Sequence, residues 1–146
     1  MSRCVFCEIL AGRLPASRYH QDEHFVGLLD IHPWRPGHAL HVPRMHVQHA
    51  RDLPPGHAEA LFGLGVRVGE ALRATIPCDD VHLVLNDGPA ASQSVPHVHL
   101  HVVPRTRGDG WRLVGRLLRH PLTPLLPATS REMLDAQAAA RAAALE

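Results

Sequence analysis

The stretch His97-Val98-His99-Leu100-His101-Val102-Val103 constrains this chain more than any other feature. Imidazoles alternate with branched apolar side chains, and in an extended strand successive side chains point to opposite faces. The pattern predicts a strand from His97 to Val103, with His97, His99 and His101 on one face and Val98, Leu100 and Val102 on the other. Same-face neighbours stand roughly 6.6 Å apart, at about 3.3 Å per residue. The apolar face packs on a core and leaves the histidine face for chemistry. That spacing lets one imidazole react while its neighbours engage different partners.

Around this strand the chain reads as a single α+β unit. His24 to Asp30 and His38 to Val42 read as strands, separated by Pro33, Pro36 and Gly37. Val81 to Asn86 is another, joined to the histidine strand by a loop of Gly, Pro, Ala and Ser. Pro54-Pro55 opens the clearest helix, from about residue 55 to 75. Its apolar face carries Ala58, Leu61, Phe62, Leu64, Gly65, Val68, Leu72 and Ile76 at spacings of three and four, and Pro77 closes it. Gly63, Gly65 and Gly69 lower its intrinsic propensity, so packing must hold it. Residues 4–18 carry a Cys-x-x-Cys turn and a short apolar segment. Trp111 to His120 is apolar and basic, and residues 121–127 are punctuated by proline. Thr129-Ser130-Arg131-Glu132 resembles a capping box before an alanine-rich helix that runs to about Ala144. Strands bracketing one helix predict α+β with a mostly antiparallel sheet.

A chain of 146 residues fits one domain with a proper core. A formal net charge of +1 argues against a nucleic-acid partner. No run approaches the ~18 apolar residues of a membrane span. Met1-Ser2-Arg3 leads into Cys4 without an apolar signal segment, so a cytoplasmic protein is expected. All 15 basic residues are arginine, which excludes a lysine adenylate and a P-loop. The three cysteines, Cys4, Cys7 and Cys78, are too few and too odd for a disulfide framework. Cys4-x-x-Cys7 reads as a metal pair or a redox pair, without the βαβ context of the thioredoxin type. Cys78 reads as a small core residue.

Other landmarks accompany the histidine strand. Asn86-Asp87-Gly88 and Gln93-Ser94-Val95-Pro96 precede it, and Val103-Pro104-Arg105 follows. Upstream stand Cys4-Val5-Phe6-Cys7, Leu28-Leu29-Asp30-Ile31 and Pro36-Gly37-His38-Ala39-Leu40-His41-Val42-Pro43-Arg44. In this order they resemble the histidine triad (HIT) family of nucleotide hydrolases and transferases, over about residues 4–107. The resemblance implies a HIT-like fold with a five-stranded sheet, one main helix and a C-terminal helix. It also implies a homodimer in which the sheet continues across two subunits. A HIT domain would occupy residues 1–110, with an extension at 111–146 packing on it.

The resemblance also assigns roles. His99 would be the nucleophile, and His101 would contact the phosphate and the departing group. Ser94 would contact a phosphate oxygen or help protonate the leaving group, and His38 would orient the His99 ring. Asp30 would bind the ribose hydroxyls with Ile31 beside the nucleoside, and Phe6 and Ile9 would pack on the base. Asn86, Ser92 and Gln93 would contact phosphate or sugar. Ala91-Ser92 stands where the family usually has glycine before Gln93; a side chain there narrows the pocket, demands φ < 0 or adds a hydrogen bond. In one branch, the histidine after Pro-Arg-x and the first triad histidine complete a zinc site with the cysteine pair. Here that set is Cys4, Cys7, His46 and His97, a closed structural shell.

Histidine suits nucleophilic attack at phosphorus because one ring nitrogen is unprotonated at neutral pH. The activity that the resemblance implies is cleavage of a purine nucleoside 5′-monophosphate, adenylate foremost, from an α-phosphate-linked leaving group. Ser94 and the cysteine pair favour the phosphoramidase-like branch; dinucleoside polyphosphate hydrolysis is the alternative. A metalloenzyme using the three histidines as ligands and a nucleotide-binding module without turnover are further readings. Trp34 reads as an ordinary loop aromatic, and His32 and His41 as surface or packing residues.

Overall fold

The computed structural model describes residues 4–118 and 127–146. The chain runs through helix α1 (Val5–Leu10), strands β1 (Arg18–Gln21), β2 (Phe25–Leu29) and β3 (Ala39–Pro43), and helix α2 (His57–Thr75). Strands β4 (Asp80–Leu85) and β5 (Leu100–Arg105) follow, then helices α3 (Gly110–Leu118) and α4 (Arg131–Ala143). The five strands form one antiparallel sheet in the order β1-β2-β3-β5-β4. The expected α+β architecture is therefore the observed one. Among the described residues no helix is long and apolar enough to cross a membrane. The proline-punctuated stretch expected at 121–127 falls, but for Pro127, outside the described residues.

Alternation along the strands divides the core in two. Phe25 and Leu29 of β2 join Leu61, Leu64, Val68 and Leu72 of α2, together with Val98, Leu100 and Val102. Val26 and Leu28 face the other way, with Leu40, Val42 and Phe6 of α1. Leu100 pairs with His41 and His101 with Leu40; opposite residues of an antiparallel pair share a face. The triad histidines consequently lie on the α1 side, and their apolar alternates lie under α2.

The histidine strand begins later than the alternation predicts, at Leu100 instead of His97, and ends at Arg105 instead of Val103. The reason lies in the backbone partners. The N–H of His97 donates to Val95 O and that of Val98 to Val47 O, both at 2.8 Å. These acceptors belong to loops, so the first three residues lie outside the ladder. α1 and β1 occupy the region read as a turn and a short apolar segment. Ser130, one residue beyond the Thr129 that the capping-box spacing points to, caps α4, accepting from the Met133 N–H at 3.4 Å.

Candidate active site and metal centre

A cavity of about 430 Å³ opens on the α1 face of the sheet, within the range of small-ligand sites. Phe6 and Ile9 of α1, the Leu14–Ala16 turn, Leu28 and Leu40 make it apolar. Asp30, Ile31, His32 and Trp34 reach it from the β2–β3 loop, Ser94 and His99 from the approach to β5, and His101 from β5 itself. Arg131 at the start of α4 completes the rim.

His99 is buried, and its Nδ1 lies 2.8 Å from the His97 carbonyl oxygen. A carbonyl only accepts, so Nδ1 carries the proton and donates, and the lone pair is on Nε2. Burial pushes the His99 pKa below its ordinary value, which keeps the ring neutral and nucleophilic near pH 7. Phe6 packs on this ring at 5.1 Å, and His101 lies 4.7 Å away at 66°. His101 Nδ1 is 3.0 Å from His38 Nε2, so His38 stands against the imidazole that neighbours His99. Asp30 accepts the His32 N–H at 2.8 Å, and its other oxygen is 3.5 Å from His38 Nδ1. A half-exposed carboxylate lining an apolar slot is suited to accept hydroxyl protons.

Not every expected residue reaches the cavity wall. Gln93 spans its own loop: its Oε1 accepts the Gly88 N–H and its Nε2 donates to Gln48 O, both at 2.9 Å. Asn86 lies half-buried just past β4 and outside the lining. Ser92 is exposed and also outside it, with φ at +66°. The glycine-type backbone is thus kept with serine in place, and the expected demand for φ < 0 does not arise. Trp34 is more than a loop aromatic, for its indole stacks on His101 at 4.7 Å and 15°. His32 lines the cavity, and Arg131 had no local signal in the sequence. His41 is wholly buried on the opposite face, hydrogen-bonded to the Tyr19 hydroxyl. Burial pushes its pKa down to about 3, which keeps it neutral.

Beside the cavity, Cys4, Cys7, His46 and His97 bring one ligand atom each to within 4.8 Å of one another. Sγ–Nδ1 separations are 3.4 Å for Cys4–His97, 3.3 Å for Cys7–His46 and 3.7 Å for Cys7–His97. The two Nδ1 atoms of His46 and His97 are 3.3 Å apart. A tetrahedral zinc shell has S–N edges of about 3.6 Å and N–N edges of about 3.4 Å, given Zn–S near 2.3 Å and Zn–N near 2.05 Å. His97 Nε2 donates to Pro43 O at 2.9 Å, so its Nδ1 lone pair points at the sulfurs. That second hydrogen bond is the usual support of a metal-ligating imidazole. The donor set fits zinc. A metal there would clamp α1 to the approach of β5 and leave no open coordination position. His97, His99 and His101 each address a different partner and do not converge as common ligands.

The sequence pattern of the HIT domain matches residues 11–108. An uncharacterised HIT-like protein of Mycobacterium tuberculosis is 42% identical over 142 residues, 97% of either chain. The adenylylsulfatase HINT3 of Arabidopsis thaliana is 31% identical over 119 residues, covering 82% of this chain and 60% of its own. The adenosine 5′-monophosphoramidase HNT1 of Saccharomyces cerevisiae is 29% identical over 112 residues, 77% of this chain and 68% of its own. Among solved structures, a zinc-bound histidine triad family protein of Mycobacterium smegmatis superposes with a TM-score of 0.78 at 36% identity. That match covers 97% of this chain and 92% of the other.

Proposed function

Because the chain belongs to the HIT family, we propose that it cleaves a nucleoside 5′-monophosphate, adenylate foremost, from an amine or similar α-phosphate-linked leaving group. The observation that carries this reading is the His99 ring. Its Nδ1–H is tied to the His97 carbonyl at 2.8 Å, so the nucleophilic Nε2 belongs to a neutral, buried imidazole that lines the cavity. In the first step His99 Nε2 bonds to phosphorus and the bond from phosphorus to the leaving atom breaks. Ser94, on the cavity wall, is the group to hand that atom a proton. In the second step water attacks phosphorus and returns its proton to Ser94, the P–N bond breaks, and the monophosphate leaves with His99 restored. Asp30 holds the ribose, and Phe6, Ile9 and Ile31 the base. Asn86, Ser92 and Gln93 act through the loop that shapes the phosphate end. Support comes from two relatives whose names describe reactions on adenylate derivatives, an adenosine 5′-monophosphoramidase and an adenylylsulfatase.

The same reading gives the cysteine–histidine shell a structural zinc ion, and the protein a cytoplasmic, homodimeric form. β4 is an outer strand, and Phe62 and Val66 are exposed on α2, which packs on β4. Metal analysis and light scattering on the purified protein test the zinc and the dimer.

The deciding experiment is steady-state cleavage of a fluorogenic adenosine phosphoramidate and of diadenosine tetraphosphate, by wild type and His99→Ala. The expected result is preference for the phosphoramidate, with a loss of at least ~100-fold in the variant. A preference for the dinucleotide would transfer the assignment to dinucleoside polyphosphate hydrolysis. Activity that survives the substitution would remove His99 as nucleophile.

A further inference from the structure

We infer that Trp34 is a positioning residue: its main-chain N–H sets the proton arrangement of the His38–His101 pair, and its indole holds the His101 ring. The Trp34 N–H donates to His38 Nδ1 at 3.0 Å. With that nitrogen accepting, the His38 proton sits on Nε2, which faces His101 Nδ1 at 3.0 Å. His101 then accepts at Nδ1 and carries its own proton on Nε2. The opposite assignment would direct a His38 Nδ1 proton at Asp30, whose oxygen is farther away at 3.5 Å, and would set two N–H groups against each other. The same residue acts through its ring, which stacks on His101 at 4.7 Å and 15° and lies 4.9 Å from His38. An unrestrained imidazole populates both tautomers, and only one of them offers an Nε2–H to a phosphoryl oxygen.

The loop that carries Trp34 is itself anchored. Arg35 Nε lies 3.3 Å from Asp109 Oδ2, and Arg35 Nη2 donates to Thr106 Oγ1 at 3.2 Å. Asp109 is held in turn by Arg105 at the end of β5, the strand that carries His101. The β2–β3 loop is thereby fixed to the strand whose histidine it orients. Misplacement of about 1 Å in such an arrangement is enough to cost on the order of 100-fold in rate.

The inference rests on the proposed reaction only for its kinetic arm. The test compares full-length wild type with Trp34→Ala, Trp34→Phe and Arg35→Gln, after matched thermal unfolding shows each is folded. Ring 15N spectra of the substrate-free proteins report the His38 and His101 tautomers, and kcat and KM are measured on the adenosine phosphoramidate. Trp34→Ala keeps the main-chain N–H, so the His38 tautomer is expected to stay as in wild type, while loss of the indole frees the His101 ring, averages its signals and lowers kcat by ~10- to 100-fold, with KM within about twofold. Trp34→Phe, which can still stack, recovers most of kcat, and Arg35→Gln, outside the cavity, falls between the two. A wild-type His101 ring signal in Trp34→Ala, a changed His38 tautomer in that variant, or a Phe variant as slow as the Ala variant would overturn the inference. If wild type turns over neither substrate, the proposed reaction fails, and the ring spectra alone decide the positioning role.

Discussion

Asp109 shows how one buried charge can organise a loop far from it in sequence. Its carboxylate accepts from Arg105 Nε at 2.9 and 3.1 Å and from the Thr106 N–H at 3.1 Å, with its side chain 4% exposed. The Arg105 guanidinium, foremost among these, holds its pKa down to about 2. An unfolded aspartate titrates near ~3.9. The folded value is the lower one, so the pair contributes its full stability above about pH 4 and loses it as the pH falls through about 2. Asp109→Asn is expected to lower stability near pH 7 by about 2 kcal/mol, read from denaturant midpoints. The gap to wild type should close between about pH 4 and pH 2; a gap unchanged over that window would show that the charge is not its source. Neither Asp109 nor Trp34 was legible in the sequence as part of the site, because the contacts that tie them to it, Arg35 with Asp109 and Trp34 with His101, join segments far apart in sequence. The shared face of His99 and His101 was legible because period-two alternation is a local pattern, whereas the roles of His99 and Asp30 came only with the resemblance. Ser92 was half legible: its position marked a departure, but only the backbone shows that serine takes the left-handed conformation at φ +66°.

Helix α2 separates two kinds of glycine that look alike in the sequence. A Cβ on Gly65 would stand 2.7 Å from Leu100 Cδ2 and 3.3 Å from Leu83 Cδ2. Leu100 lies between His99 and His101, so this close approach seats the helix directly behind the reactive histidines. A Cβ on Gly63 would meet nothing within 4 Å. Gly63→Ala should therefore raise stability by up to ~1 kcal/mol through helix propensity alone. Gly65→Ala should lower it by about 1–3 kcal/mol despite the same propensity gain, because the core is overpacked. Thermal midpoints that move the same way for both variants would refute the distinction. The helix itself was legible from its spacing of apolar residues, and β2, β3 and β4 from runs bounded by Pro, Gly and Asn. β1 was not, since of Arg18, Tyr19, His20 and Gln21 only Tyr19 is buried and no alternation of apolar residues marks it. α1 was hidden by its six-residue length, too short for a helical period to stand out.

On the scale of the whole molecule, the matched family pattern ends at residue 108, but the core does not. Leu134 and Ala138 of α4 belong to the same apolar cluster as Tyr19, Leu29 and Leu72. The docking is also polar: Ser17 Oγ donates to Asp135 at 2.5 Å, Arg131 donates to Ser17 at 3.0 Å, and the Thr129 N–H donates to Ile31 O at 2.9 Å. Arg141 is buried over the Tyr19 ring at 5.3 Å, and its Nε and Nη1 have no hydrogen-bond partner among the described residues. A buried guanidinium so placed is costly, so the apolar contacts of α4 must outweigh it. The apolar core thus runs past residue 108 into α4, within the stretch 111–146 expected to pack on the domain. A chain ending at residue 126 would uncover Tyr19 and Leu72, lose the buried Leu134, and strip Arg131 from the cavity rim. Its unfolding free energy should fall by about 3 kcal/mol or more, at roughly 25 cal/mol per Å² of apolar surface returned to water. Urea unfolding of the shortened and full-length chains, each with and without AMP, separates the two contributions. A wild-type midpoint in the shortened chain would make α4 an appendage. A lowered midpoint with AMP stabilisation intact would confine its role to the core, and loss of both would make the C-terminal helix part of fold and cavity together.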